Sequence, residues 1–210
     1  RGVLFLDEMP EFSRRSLEIL RQPLEDKVIR ISRVYGTYDF PADFMLCAAM
    51  NPCPCGHYPD MNRCRCTPAQ VMQYLGRISQ PLLDRLDLCA EVSPVDFEGL
   101  SSGRKGESTQ TIRERVICAQ DIQRERYKIE GIQFNGELSG AQIEKYCKME
   151  KDARQLLKMA FQNMPFSARA YHRILKVART IADMEATESI HRHHIAEALS
   201  YRAFDKKYWN

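Results

Sequence analysis

Arg1-Gly2-Val3-Leu4-Phe5-Leu6-Asp7-Glu8 opens the chain, four apolar residues running straight into two adjacent acids. A short continuous apolar run reads as a strand buried on both faces, as at the centre of a parallel sheet. Acids at its carboxyl end sit where open α/β sheets bind ligands. This is the Walker B arrangement, in which Asp7 would hold Mg²⁺, directly or through water, and Glu8 would polarise an attacking water. A core strand that merely ends in two solvated acids has the same letters, so the motif needs support from its surroundings. A Walker B site also needs a phosphate-cradling G-x-x-x-x-G-K-[ST] run upstream, and none of the 210 residues supplies one. A central strand needs neighbours. The expectation is therefore the C-terminal part of a longer protein, with the phosphate loop before it.

Outward from this strand, Phe12–Gln22 has helical spacing, with Leu17, Ile19 and Leu20 near one face, Ser13 as a cap and Pro23 limiting its extension. Lys27–Ser32 alternates with strand period, Arg33–Gly36 makes a hairpin tip, and Tyr38–Pro41 returns at a sheet edge. Phe44–Met50 reads as a second buried strand ending at Asn51-Pro52, and a Cys-rich loop runs to Thr67. Pro68–Ile78 is expected as a helix, and Leu82–Val92 as a short helix followed by a strand.

The character changes near Asp96. Leu100–Glu107 is polar and Gly-rich, as flexible connections are. Beyond it everything reads as helix. Thr109 caps one reaching about Lys128, Ser139 caps a second, Glu150–Asn163 is a third, Ser167 caps Ala168–Met184, and Ser189 opens a last one to about Phe204. Ile174, Leu175, Ala178, Ile181 and Ala182 form an apolar stripe on the fourth. The expected domains are 1–95, a partial α/β core; 96–108, a linker; and 109–210, a helical domain. A net charge of +3 is too small to argue for nucleic acid by itself, and no apolar run approaches membrane-spanning length. Of the eight Cys, four crowd into Cys53–Cys66, while Cys47, Cys89, Cys118 and Cys147 stand singly. That pattern points to a reducing cytoplasm.

Three further residues stand out. Asn51 ends the strand expected beside the acidic one, where a neutral amide would orient water, though Asn-Pro also simply makes turns. Arg85 lies between Asp84 and Asp87, held by flanking carboxylates to project across a subunit boundary toward phosphoryl charge, or else part of an ordinary surface ion-pair cluster. Arg169 occupies the first turn of an apolar helix, where the macrodipole disfavours a cation and an approaching anion would favour one.

In this order the segments resemble an AAA+ ATPase, with the hairpin before the Asn-ended strand as in magnesium-chelatase subunits and MCM helicases. Ala49-Met50-Asn51-Pro52-Cys53-Pro54-Cys55-Gly56, Cys64-Arg65-Cys66-Thr67-Pro68, Pro81–Leu88 and Ser167–Arg173 are similar to the bacterial magnesium-chelatase-like proteins of the YifB/ComM type. The resemblance covers essentially the whole chain. It implies an α/β partial AAA+ core followed by an all-α lid, with ATP and Mg²⁺ as ligands and a homo-hexameric ring. It assigns Asp7 and Glu8 to Walker B, Asn51 to sensor 1, Arg85 to the arginine finger and Arg169 to sensor 2. Competence-associated members are regarded as hexameric DNA helicases that drive branch migration. The implied function is an ATP-driven DNA motor. The alternatives are a chelatase-type ATPase that remodels a metal-inserting partner, and an interaction domain with a vestigial nucleotide site. In ring helicases such hairpins face the pore. Lys27, Arg30 and Arg33 would then track phosphates and Tyr35 would stack on a base, whereas a solvated, charge-blunted edge hairpin carries the same residues. Arg63 and Arg65 are additional candidate contacts.

Cys53-x-Cys55 and Cys64-x-Cys66 give four thiolates, the number that closes a structural tetrahedral Zn²⁺ site, although C-x-C is tighter than the usual spacing. Two disulfides or four free thiols are the alternatives, and His57 is a possible substitute ligand. His191, His193 and His194 also invite a metal reading. They are far in sequence from other ligand types, and a polar helix start explains them more simply.

Overall fold

The computed structural model describes residues 2–93, 97, 101, 106–164 and 166–209, with side chains described as far as Arg202. Most of the expected linker 96–108 lies outside the described residues. The chain forms two compact units dividing at Leu86 and Asp87. The first is mixed α/β and the second is helical, and each is described by itself.

In the first unit β1 (Gly2–Leu6) pairs in parallel with β4 (Phe44–Ala48), Gly2 opposite Phe44 and Leu6 opposite Ala48. Between them come a 3₁₀ turn (Met9–Glu11), α1 (Arg14–Ile19), α2 (Arg21–Asp26) and an antiparallel hairpin of β2 (Val28–Arg33) and β3 (Gly36–Pro41). The expectation of burial on both faces is corrected. Leu6 is buried and Leu4 and Leu46 pack beside it, but Val3 and Phe5 are 65% and 58% exposed and Met45 is also exposed. The side-chain period of two puts alternate residues on opposite faces. Among the described residues only one face of this two-stranded sheet is covered, by Met9, Leu17, Ile78, Leu82 and Leu83.

Local sequence explains the covering helices. Ser13 caps α1 as expected, its Oγ accepting the Ser16 N–H at 3.1 Å. The single helix expected over 12–22 is broken at Leu20, and Pro23 sits inside the first turn of α2, where no intrahelical N–H is lost. Thr67 and Gln70 form a reciprocal capping box at the start of α3 (Pro68–Leu75), with Pro68 at its first position. After α4 (Gln80–Leu83) the expected strand toward Val92 is absent among the described residues.

The helical unit contains α5 (Thr109–Arg126), a 3₁₀ turn (Asn135–Glu137), α6 (Gly140–Tyr146), α7 (Lys151–Asn163), α8 (Ala168–Met184) and α9 (Arg192–Trp209). Two cap assignments change. Ser108, not Thr109, caps α5, with its Oγ 3.1 Å from the Thr111 N–H. Ser189 does not open α9: Ile190 bridges to Met149, and the helix begins at Arg192. The apolar stripe of α8 is buried as its spacing predicts, packed with Ile143, Leu157, Ile190 and Ile195.

The same helix also buries charge. Arg179 and Asp183, one turn apart, are both about 1% exposed. Asp183 accepts from Arg126 Nη1 at 2.8 Å, from Arg179 Nε at 3.1 Å and from Asn135 Nδ2 at 2.9 Å, and Arg126 Nη2 adds a further contact. Arg179 spends its remaining donors on the carbonyls of Thr187 and Glu188. Burial depresses the Arg179 guanidinium and Asp183 opposes that effect. Removing the shared carboxylate strands two cations in the core, so Asp183→Ala should destabilise the helical unit by about 3–5 kcal/mol. Denaturant unfolding followed by circular dichroism checks this. An unchanged midpoint would mean that the network is not what holds α5 against α8.

Candidate functional site

The carboxyl ends of β1 and β4 are locked together past the last paired residues. The Ala49 N–H donates to the Leu6 carbonyl at 2.9 Å, and the Met9 N–H returns to the Ala49 carbonyl at 3.0 Å. Asp7 and Glu8 therefore lie between two backbone bonds to the strand that leads into Asn51. The parallel register brings these three side chains to one edge of the sheet, all exposed. Asp7 Oδ1 accepts the N–H of Glu8 at 3.0 Å, which fixes its carboxylate. Glu8 adopts left-handed φ 49°, ψ 46° at the start of the 3₁₀ turn. That conformation costs a non-glycine residue about 1–2 kcal/mol, and such strain persists where surrounding structure over-determines it. Buried Met9 and Pro10 provide the anchor. Gly56, at φ +79°, backs onto Asn51: a Cβ there would lie 3.8 Å from its amide carbon.

Arg85 is 9% exposed and projects onto α2, where its Nη2 pairs with Glu25 and its Nη1 donates to the Pro81 carbonyl at 2.7 Å. Glu18, Arg21, Gln22, Glu25, Asp26 and Arg85 line one open cleft of about 320 Å³. The expected clamp by Asp84 and Asp87 is corrected. Asp84 lies 3.5 Å from Gln80 Nε2, and Asp87 pairs with Arg173. Glu25 is the functional neighbour that sequence reading missed, since sixty positions separate it from Arg85. Neither Asp7 nor Glu8 is a partner of Arg85. Arg169 stands exposed in the first turn of α8, whose cap is Ser167, with Oγ 3.1 Å from the Ala170 N–H.

The hairpin residues divide. Lys27 is not on the hairpin: it ends α2 in the left-handed region and lies 3.6 Å from Asp43. Arg30 faces Asp39 across the strands in a bidentate pair of 2.8 and 2.9 Å. That pair raises the Arg30 guanidinium and lowers the Asp39 carboxyl. Arg33 and Tyr35 are at the tip, and Tyr35 is 96% exposed.

Cys53, Cys55, Cys64 and Cys66 converge, all four Sγ within 4.8 Å of one another. The separations 53–55, 55–64 and 53–64 are 3.4, 3.6 and 3.8 Å. A disulfide needs roughly 2.0 Å, and all eight Cys are free. A tetrahedral four-thiolate Zn²⁺ with bonds near 2.3 Å has S···S edges of about 3.8 Å, so the donor set fits that ion. Fully buried Cys53 packs on Val71, Tyr74 and Leu75 of α3, which ties the loop to the capped helix. The N–H groups of His57 and Arg65 lower the Cys55 thiol to about 6, the backbone contribution that favours a thiolate there. Burial and the neighbouring sulfurs push Cys66 up to about 12.

At the start of α9, His193 and His194 converge on a carboxylate: both Nε2 atoms lie 2.9–3.0 Å from one oxygen of Glu185. His194 is fully buried, and its Nδ1 accepts the His191 N–H at 3.0 Å. The Nε2 of His194 then carries the proton and donates to Glu185. A metal on Nε2 would move that proton to Nδ1, against a backbone donor. The cluster is a helix-start cap, as the simpler reading holds.

The magnesium chelatase subunit ChlI family matches residues 1–100, and the ChlI C-terminal family matches residues 106–202. Among curated proteins the chain is 47% identical over 98% of its length to YifB of Salmonella typhimurium, and 44% identical over 98% to YifB of Escherichia coli. It is 47% identical over 96% to the competence protein ComM of Haemophilus influenzae. The chain spans about 40% of the length of these relatives. It belongs to the magnesium-chelatase-like family of the YifB and ComM type.

Protein purified reduced and free of chelators should carry about one Zn²⁺ per chain, as a four-thiolate centre binds. Metal analysis with parallel thiol titration checks this. Zinc near zero with all four thiols freely titratable would exclude the centre.

Proposed function

We propose that this chain is the Walker B, sensor and lid portion of an AAA+ ATPase that drives DNA movement from a homo-hexameric ring. The observation that carries the reading is the β1–β4 register, which sets Asp7, Glu8 and Asn51 on one sheet edge. The phosphate loop that this reading requires is not among these 210 residues, which span about 40% of the length of the relatives. Asp7 would hold the Mg²⁺, whose charge would offset that of the phosphates. Glu8 accepts a proton from the attacking water, and Asn51 orients that water. Backbone bonds linking Leu6 and Met9 to Ala49 hold the chain on either side of Asp7 and Glu8, which limits the positions their side chains must search. Arg169, in the first turn of α8, carries the sensor 2 role that the family resemblance implies.

Arg85 acts in trans. Its guanidinium is held by Glu25 and the Pro81 carbonyl rather than by Asp7 or Glu8, and this supports a role at the neighbouring subunit's nucleotide. Cys53, Cys55, Cys64 and Cys66 would hold a structural Zn²⁺, with a reducing cytoplasm keeping the four thiols available. Among the described residues no helix is long and apolar enough to cross a membrane.

DNA as substrate is supported by the exposed Arg33 and Tyr35 at the hairpin tip and by similarity to a protein named for competence. Because Lys27 and Arg30 already have carboxylate partners, the tip is the part of the hairpin that meets DNA. The second reading, ATP-driven remodelling of a metal-inserting partner, is favoured by the chelatase description of the matching family. Stimulation of ATPase by DNA supports the first, and stimulation only by a protein partner supports the second.

Arg85→Ala in the full-length protein should keep nucleotide binding and lose about 10³-fold in turnover, as removal of an arginine finger does. Steady-state ATPase with a fluorescent-nucleotide titration reads both. Wild-type turnover refutes the role.

A further inference from the structure

The Cys loop presents more than a metal centre. Its sequence alternates, Arg63-Cys64-Arg65-Cys66. The sulfurs of Cys64 and Cys66 turn inward to the cluster, while Arg63 and Arg65 are exposed. Together with Cys55, His57 and Asn62 they line a cleft of about 500 Å³ that contains no carboxylate. Arg21, Arg30, Arg77 and Arg85 of the first unit each pair with an acid, whereas among the described residues Arg63 and Arg65, like Arg33 at the hairpin tip, have no carboxylate partner. The nearby acid, Asp60, turns its Oδ1 to the Asn62 N–H at 3.0 Å and its carbonyl to the N–H groups of Arg63 and Arg65's neighbour Cys64. Asp60 thereby shapes the turn from which Arg63 and Arg65 line the same cleft.

Two unpaired guanidinium groups beside an amide and an imidazole form a donor set for phosphate oxygens. The closed cysteine cluster supplies the stiffness: Cys53 is anchored on α3, and cross-linking Cys64 and Cys66 to it through a common ion would fix the backbone from which both arginines project. We infer that Arg63 and Arg65 form a phosphodiester clamp, a second nucleic-acid contact separate from the hairpin tip, whose geometry depends on the cysteine centre. The inference rests on the proposed DNA substrate. It adds that this contact reads backbone charge alone, so it is indifferent to base sequence.

The test measures binding of the full-length protein to fluorescein-labelled single-stranded and duplex oligonucleotides by anisotropy, across a range of salt, without nucleotide turnover. Two lost phosphate contacts lower the slope of log K against log salt by about 1.4 on single strands and about 1.8 on duplex. The double variant Arg63→Gln, Arg65→Gln should show that drop for every sequence tried, with unchanged zinc content. Arg63→Lys with Arg65→Lys should keep the slope, since charge is retained. Chelation of the zinc from wild type should reduce the slope as the Gln variant does, and readdition of zinc should restore it. Wild-type affinity and slope in the Gln double variant overturn the clamp while leaving the DNA reading intact. Absence of oligonucleotide binding by the wild-type protein defeats the DNA reading and the clamp with it. A slope that survives zinc removal overturns the dependence on the cysteine centre.

Discussion

Two backbone hydrogen bonds decide what the first unit is able to do: Ala49 N–H to Leu6, and Met9 N–H to Ala49. They extend the parallel β1–β4 ladder beyond its side-chain register and force the chain to turn sharply at Glu8. Everything at the strand ends follows. The Glu8 N–H orients the Asp7 carboxylate through one oxygen. Glu8 accepts a left-handed conformation because Met9 and Pro10 are buried on the far side of the turn. Asn51 leaves the partner strand at the same edge, with Gly56 close behind it. The packing of Leu6, Leu17, Ile78 and Leu82 beneath the sheet gives this edge its rigidity, at roughly 1.5–3 kcal/mol for each large aliphatic side chain removed from water.

The two units solve different problems. The α/β unit leaves Val3, Phe5 and Met45 exposed and builds its stability from one covered face. The helical unit has a full core and places a fully hydrogen-bonded charge network inside it. In the latter, each charged donor meets a fixed acceptor, and burial of Arg179 is tolerable only on that condition. The cysteine loop is a third small core, where sulfurs packed on Tyr74 and Leu75 stand in for the aliphatic side chains that so short a loop lacks.

Legibility in the sequence followed the range of the interaction. Local signals were readable: the capped start at Ser13, the hairpin tip at Val34–Tyr35, the apolar stripe of α8 and the convergence of four Cys within fourteen positions. The acid–acid–amide edge was readable because strand-end chemistry is local even though the pairing is not. What the letters did not hold was tertiary choice of partner. Asp84 and Asp87 flank Arg85, yet Glu25 takes it; Asp39 and Asp43 neutralise cations that looked available. Arg179 and Asp183 have helical spacing for a surface ion pair, and only packing shows them buried. Among the described residues β1 is covered on one face only, because an apolar run records what a strand is able to cover, not which neighbours cover it.

If the β1–β4 edge is a hydrolytic site, Glu8 acts on water and not on the phosphates. This is tested most directly by Glu8→Gln in the full-length protein, measuring Mg²⁺-ATP affinity and single-turnover hydrolysis side by side. The expected result is wild-type affinity with ATP retained uncleaved on the protein. Hydrolysis at the wild-type rate, or loss of nucleotide binding with the amide in place, would contradict it.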